Sequence, residues 1–448
     1  LTFRLVQNYG ERRTLGRFRL WVNESTAASA KHPPHVVEVL RIPAEMRTEA
    51  QRNGLLEHYL QSQPELQEMR DRMAKMEEKL ESLPGAMTLV MRELDSPRMT
   101  NLLRRGSFES KGIEVTPGVL EALHPLPNDA QANRLGLARW IAADDNPLFA
   151  RVTVNRWWSA LFGDGLVATE EDFGTQGDRP THPELLDWLA VEFREHDYSM
   201  KHIHKKLVMS ATYRQSAAHR KELRERDALN RLHARGPRMR LPAEMIRDNA
   251  LAVSGLLHHE LGGPPVKPPQ PPKIWRVTGK VDNAYKVSEG TDRYRRGLYV
   301  IWRRSAPYPS FVNFDAPDRS SCVVERANTN TPLQALTLLN DEVYIEAALA
   351  LAARLLVDLP EANPQQRVDY ALQLAVARQP RPEETAHLVA LYEDQLKRHQ
   401  AEPNKAKQLV SAAPLPAAVR AKQLPEEELA AWYYVASVIL NLDETISK

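Results

Sequence analysis

The chain has 448 residues, of which 42% are hydrophobic and 26% charged, and this composition excludes a wholly disordered protein. The 60 Lys and Arg nearly balance the 58 Asp and Glu, so no overall field attracts nucleic acid. No apolar run approaches the roughly 18 residues of a membrane helix. We therefore expect roughly two to four folded units, no nucleic-acid partner and no membrane span.

Cys322 is the sole cysteine, which excludes an intrachain disulfide, a CxxC zinc site and a CxxCH haem-attachment motif. We accordingly expect no cofactor in this chain. The sequence opens at Leu1 with neither an initiator Met nor a signal peptide, and its first residues have the pattern of a strand. We expect a fragment or a processed product.

Three short segments are predicted in the first 83 residues. Alternation of apolar and polar residues predicts a β-hairpin within residues 1–25, followed by a linker over 26–43. Residues 44–83 have helical periodicity and predict an antiparallel helical hairpin. One of its helices has an apolar packing stripe at spacings of 3 and 4, formed by Leu66, Met69, Met73, Met76 and Leu80.

Residues 84–448 are predicted to form a multi-helix domain with long proline-rich loops, so the fold class is mainly α. Prolines stand at helix starts, where a missing amide hydrogen costs nothing. Thr181 and Thr331 each precede Pro by one or two residues and a Glu or Gln by three, as in capping boxes. A strand is expected at 298–302, and the prolines of 262–272 predict an extended connector. Helices are predicted over 131–143, 147–162, 183–196, 199–213, 242–260, 331–356, 364–378, 383–398 and 426–441.

The segment from Arg293 to Thr331 is rich in arginine and is the first place to expect a binding pocket. Asp315 and Asp318 lie there in a proline-stiffened loop. Paired carboxylates are what glycoside hydrolysis requires, provided they lie roughly 5 to 9.5 Å apart. The structural alternative is that both aspartates cap turns or pair with neighbouring arginines.

An anionic ligand is a second expectation for this segment. The free amides at the start of the helix after Thr331 and its dipole favour negative charge. The alternative is that Thr331 is an N-cap and the loop polar groups satisfy only the backbone. The candidate ligand-binding residues are Arg304, Tyr308, Arg319, Arg326, Asn328 and Asn330.

The histidines give little indication of a metal. His202 and His204 are two residues apart on a predicted helix and therefore point in different directions. We expect no metal site. His182 enters only as a candidate catalytic partner of Asp315 and Asp318.

Short motifs occur in order between residues 85 and 445. They are Pro97-Arg98-Met99-Thr100, Asn146-Pro147-Leu148-Phe149-Ala150-Arg151, Gly163-Asp164-Gly165-Leu166-Val167, Asp172-Phe173-Gly174, Thr181-His182-Pro183-Glu184-Leu185-Leu186-Asp187, Ser210-Ala211-Thr212-Tyr213-Arg214-Gln215-Ser216, Ala243-Glu244-Met245-Ile246-Arg247-Asp248, Phe314-Asp315-Ala316-Pro317-Asp318-Arg319 and Thr329-Asn330-Thr331-Pro332-Leu333-Gln334. In this order they resemble the planctomycete-specific C-terminal domain of unknown function that is found in large exported proteins.

The resemblance implies an exported protein whose N-terminal domains are missing from this chain. In relatives such domains often include a cytochrome c segment, so haem is expected only in a missing partner domain. Residues 15–20 are similar to the last strands of a jelly-roll, carbohydrate-binding-like insert. The resemblance implies no established activity.

Three functional hypotheses follow from these observations. The first is a secreted module that handles an extracellular polysaccharide, with an anionic one as an option, by binding it or by organising partner domains. The second is a carbohydrate-active hydrolase or lyase that uses Asp315, Asp318 and His182, with Arg319 or Arg326 stabilising developing charge. The third is a scaffold for a partner cytochrome c domain. Whether the chain is an enzyme stays open at this point.

Overall fold

The computed structural model describes most of the chain, which divides into two compact units, Leu1–Val115 and Thr116–Lys448. The predicted β-hairpin at 1–25 lies outside the described residues. The described ranges are 32–82, 89–96, 98–218, 220–275, 285–412, 414–415, 420 and 422–447.

The described residues of the first unit contain three α-helices: α1 (Pro34–Leu40), α2 (Glu49–Ser62) and α3 (Gln67–Ser82). The predicted helices after residue 44 are present, and α1 lies within the predicted linker. Thr48 caps α2 because its hydroxyl accepts a hydrogen bond from the amide of Gln51, whose side chain accepts one from the amide of Thr48.

The apolar stripe of α3 was predicted to pack, but its methionines and Leu80 are exposed. The first unit also contains a sheet that periodicity did not predict: β1 (Thr100–Leu103) pairs antiparallel with β2 (Lys111–Val115). These strands are four and five residues long, too short for alternation to distinguish them from a loop.

The second unit is helical in its described part. Its helices are α4 (Arg134–Ile141), α5 (Phe149–Phe162), α6 (Pro183–Glu195), α7 (Met200–Met209), α8 (Leu223–Arg226), α9 (Ala243–Val253), α10 (Pro309–Asn313), α11 (Pro332–Asn340), α12 (Glu342–Asp358), α13 (Pro364–Val376), α14 (Pro382–Ala401), α15 (Pro403–Val410), α16 (Glu426–Leu440) and α17 (Asp443–Ile446). A mainly α fold is therefore confirmed.

Helices α5, α6 and α7 share a small core in which Trp158, Leu189 and Ile203 are buried. The fully buried Asn155 anchors the turn after α5. Its side chain accepts a hydrogen bond from the amide of Val167 at 2.9 Å and donates one to the carbonyl of the same residue at 3.0 Å. This turn leads the chain from α5 toward the start of α6.

A larger core surrounds α12, which packs against α9 and α16. Two buried arginines lie beside it and are satisfied mainly by backbone carbonyls. Arg247 donates to the carbonyls of Arg293 and Arg295 at 2.8 and 2.7 Å. These bonds fasten α9 to the segment that precedes α10. They are strong because the donor is charged.

Several predictions about helices are wrong in detail, and the helix predicted over 242–260 ends already at Val253. The helix predicted over 331–356 is two helices, because Asp341 accepts a hydrogen bond from the amide of Val343 at 3.0 Å and begins α12. Helix α6 begins at Pro183 as predicted, but His182 is its N-cap, and the hydroxyl of Thr181 donates instead to the carbonyl of Leu166.

The strand predicted at 298–302 is also wrong, because a 3-10 turn occupies Gly297–Tyr299. Val300 makes only an isolated bridge to Val266 of the extended connector. None of the helices in the described ranges combines the length and apolar content that crossing a bilayer requires.

Candidate functional site

The arginine-rich region ends in an exposed loop, residues 314–331, which we call the polar loop. It runs from α10 to α11, and Phe314 at its beginning is buried in the larger core. Asp315 and Arg319 have positive φ angles of 62° and 61°. Such angles are uncommon for residues other than glycine, so the contacts around the loop must maintain this backbone path.

Asp315 joins the two ends of the polar loop. Its carboxylate accepts hydrogen bonds from the amide and the hydroxyl of Thr329, both at 2.8 Å. Arg240 reinforces the same point by donating to the carbonyl of Thr329 and to the side chain of Gln334. The carboxylate of Asp315 therefore accepts its hydrogen bonds from a residue of the same loop.

Asp318 makes a local turn. Its carboxylate accepts hydrogen bonds from the amide of Ser320 at 2.9 Å and from the hydroxyl at 2.8 Å. The Ser320 amide, followed by its hydroxyl, lowers the pKa of Asp318 below its ordinary value. The carbonyl of Asp318 accepts from Nε1 of Trp302 at 3.3 Å, and the guanidinium of Arg319 lies 5.0 Å from the centre of the Trp302 ring. The turn thus places the cation of Arg319 over the Trp302 ring.

Arg326 attaches the far side of the loop to α9. Its guanidinium donates two hydrogen bonds to the carboxylate of Glu244, at 2.7 and 3.3 Å. Burial opposes ionisation of Glu244, but the hydrogen bond from Arg326 and the charges of Arg326 and Arg319 outweigh it and lower the pKa of Glu244. Arg326 therefore has a structural partner already.

The other predicted ligand-binding residues divide between surface and core. Arg304, Asn328 and Asn330 are exposed. Tyr308 is buried in the larger core, where its ring packs edge-on against Phe311. Tyr308 therefore has no access to a ligand on the surface of the polar loop.

His182 is half-buried at the start of α6, a helix of the smaller core. Its Nδ1 is 3.0 Å from the hydroxyl of Thr181, and its ring is 5.7 Å from the ring of His233. Among the described residues, no hydrogen bond or ring contact connects His182 with Asp315 or Asp318. The structure connects residues of the polar loop with one another, but it does not join His182, Asp315 and Asp318 into one catalytic group.

Glu170 was not among the predicted site residues, yet it lies near the polar loop. Burial raises its pKa, a hydrogen bond from Ser159 opposes this, and the nearby charge of Glu325 raises it further. The three consecutive acidic residues at 170–172 are visible in the sequence, but their local sequence does not indicate that Glu325 lies near them.

A second polar cluster joins α6 to α7. Glu192, His196 and His202 each direct one possible ligand atom to a common region, and these atoms all lie within 4.8 Å of one another. His202 and His204 do diverge as predicted, since the ring of His204 packs edge-on against Trp157. The sequence argument missed the spacing of four between Glu192 and His196, which places both on one face of a helix.

Comparison with known proteins identifies the class to which this mainly helical chain belongs. Residues 133–392 match the family model PSD1, described as "Protein of unknown function (DUF1553)". The match covers more than half of the chain, which therefore belongs to this family. No curated protein and no solved structure matches the chain. Membership of a family of unknown function is confirmed, whereas restriction to planctomycetes and the companion domains stay predictions.

Proposed function

We propose that the second unit is a non-catalytic binding module for an anionic extracellular polysaccharide, and that the protein which contains it is exported. The main support is that the two candidate catalytic aspartates have hydrogen-bond partners inside the loop, whereas two nearby arginines are exposed. The carboxylates of Asp315 and Asp318 both accept hydrogen bonds from within the loop, whereas Arg304 and Arg319 face solvent. Arg319 in the polar loop and Arg304, which precedes the loop, therefore offer exposed guanidinium groups to a ligand.

Arg319 and Trp302 supply the chemistry that this ligand class needs. A guanidinium pairs with sulfate or carboxylate through two parallel hydrogen bonds, and the apolar face of a sugar ring packs on an aromatic ring. The two groups lie 5.0 Å apart in the structure. Exposed Asn328 and Asn330 add neutral donors and acceptors for hydroxyl groups.

A hydrolase built on Asp315, Asp318 and His182 has less support. General acid or base catalysis needs a side chain within about 2.6–3.2 Å of the proton that it transfers. The hydrogen bonds of both aspartates lie inside the loop, and His182 contacts Thr181 and His233. The haem-scaffold alternative depends on the resemblance alone.

Affinity electrophoresis through gels that contain neutral, carboxylated or sulfated polysaccharides tests the proposal. We expect the full chain to be retarded by the anionic gels, and the Arg304→Gln/Arg319→Gln variant to lose most of this retardation. The matched control is Arg224→Gln/Arg226→Gln, which changes two exposed arginines of α8 and the net charge equally.

The proposal is supported if the anionic gels retard the Arg224→Gln/Arg226→Gln control but no longer retard the Arg304→Gln/Arg319→Gln variant. Equal loss in both variants would indicate general charge attraction and would contradict a site at Arg304 and Arg319. If no polysaccharide retards the chain, the proposal is wrong. Release of sugar fragments from any retained polysaccharide would instead support an enzyme.

A further inference from the structure

We propose that Glu192, His196 and His202 form a binding site for a divalent transition-metal ion, best suited to Zn²⁺, at the corner between α6 and α7. Two imidazole nitrogens and a carboxylate oxygen are donors that Zn²⁺ accepts. A site with three protein ligands leaves a coordination position for water or for another ligand. This inference does not depend on the polar loop or on polysaccharide binding.

The geometry brings the donor atoms together without rearrangement of the backbone. Nε2 of His202 lies 2.7 Å from Oε1 of Glu192, and Nδ1 of His196 lies 3.5 Å from the same oxygen. The two imidazole rings are stacked, with centroids 3.8 Å apart and planes 12° from parallel. Both rings therefore present a nitrogen to one side of a single carboxylate.

The corner between the helices determines this arrangement. Asp197 and Tyr198 have positive φ angles of 53° and 55°, which turn the chain sharply after α6. Ser199 then begins α7 by accepting a hydrogen bond from the amide of His202 at 3.3 Å. Glu192 and His196 are one helical turn apart before the corner, and His202 follows in the first turn after it.

Access and burial also fit a metal site. The side chain of Glu192 is only 11% exposed, so its carboxylate is held in place by the packing around it. His196 and His202 are 44% and 30% exposed, so an ion can reach both nitrogens from solvent. Ligation through Nδ1 of His196 replaces its hydrogen bond to the carbonyl of Glu192, which is 2.9 Å long.

Lys206 competes for the same carboxylate. Its ammonium lies 2.6 Å from Oε1 of Glu192 and also 5.2 Å from the centre of the Trp188 ring. The side chain is 41% exposed and flexible, so it can move aside when a metal binds. Because the ammonium has the same sign of charge as the metal, we expect it to weaken binding.

Calorimetric titration of the full chain with Zn²⁺ tests the site. Lys206→Met is expected to tighten binding by about tenfold or more, because removing one like charge a few ångströms away favours the cation by at least this factor. His202→Ala and Glu192→Gln are expected to weaken it by a similar factor. The matched control is His204→Ala, on the same helix but packed against Trp157, which should bind as the wild type does.

Spectroscopy with Co²⁺ measures coordination of the metal, and circular dichroism separates a loss of coordination from a loss of folding. We expect a visible absorption band of a site with mixed nitrogen and oxygen ligands, lost in His202→Ala while circular dichroism shows intact helices. His32→Ala/His58→Ala removes a separate histidine pair whose nitrogens lie 3.0 Å apart and should leave the band unchanged. Absence of Zn²⁺ binding by wild type and Lys206→Met, or equal binding by wild type and His202→Ala, would overturn the proposal.

Discussion

Single residues of the same type have different roles in this protein because their surroundings differ. Asp315 connects the two ends of the polar loop through Thr329, whereas Asp318 makes a turn with Ser320, two residues away. The spacing of three between the aspartates was compatible with a catalytic pair and with structural roles. Only the contact between residues 315 and 329, far apart in the sequence, distinguishes the two cases.

Replacement of Asp315 tests its structural role. Asp315→Ala removes the hydrogen bonds to Thr329 that join the two ends of the polar loop, so we expect a loss of about 0.5–1.5 kcal/mol in the free energy of unfolding. Asp318→Ala is the control and should cost less, because it removes only contacts to Ser320, two residues away, and leaves the ends of the loop joined. Urea unfolding at pH 7 measures both. Equal losses would contradict the role given to Asp315.

Asp341 is expected to make stability depend on pH. Burial raises the pKa of its carboxyl to about 6. Because the folded state holds the proton more tightly than the unfolded chain does, this contribution to stability is present below about pH 4 and is lost as the pH rises through about 6.

Asp341→Asn keeps an acceptor for the amide of Val343 and removes the ionisation. We expect the variant to gain stability relative to wild type by roughly 1–3 kcal/mol between pH 4 and pH 7. Chemical unfolding over this range measures the difference. A difference that does not change with pH would show that Asp341 is not responsible.

Helix starts were predictable from the sequence, and helix ends were less so. Pro183, Pro332 and Pro364 each begin a helix in the structure as the sequence indicated, since proline fixes a helical φ and lacks only a hydrogen that the first turn does not use. The predicted helix over 199–213 ends earlier, at Met209. Side chains that pack or bond across the fold decide such ends, and periodicity does not include them.

The end of α13 offers a test of local conformation. Ala377 is its C-cap and has a left-handed φ of 52°, which costs energy for any residue with a Cβ. Ala377→Gly should therefore stabilise the protein by roughly 0.5–1 kcal/mol. Ala375→Gly, inside the same helix, should destabilise it by about 1 kcal/mol. Thermal unfolding of both checks the opposite signs, and destabilisation by Ala377→Gly would contradict the argument.

At the scale of the whole molecule, the fold class and the family could be predicted because helical periodicity and ordered motifs are local features. The sites could not, because each combines distant segments. Arg240 donates to the carbonyl of Thr329, and the charge of Glu325 raises the pKa of Glu170. His202 contacts Glu192 of the preceding helix. Tyr308 shows the opposite error, since a residue in a promising loop sequence is part of the core.

The central claim is that the exposed guanidinium groups of Arg304 and Arg319 recognise the charge of a polysaccharide. The most direct measurement is calorimetric titration of the full chain with one sulfated polysaccharide and with the same polysaccharide after chemical removal of its sulfates. We expect binding only to the sulfated form, with an affinity that falls as salt is added, because added ions screen exposed charges. Equal binding of both forms, or binding of neither, would contradict the claim.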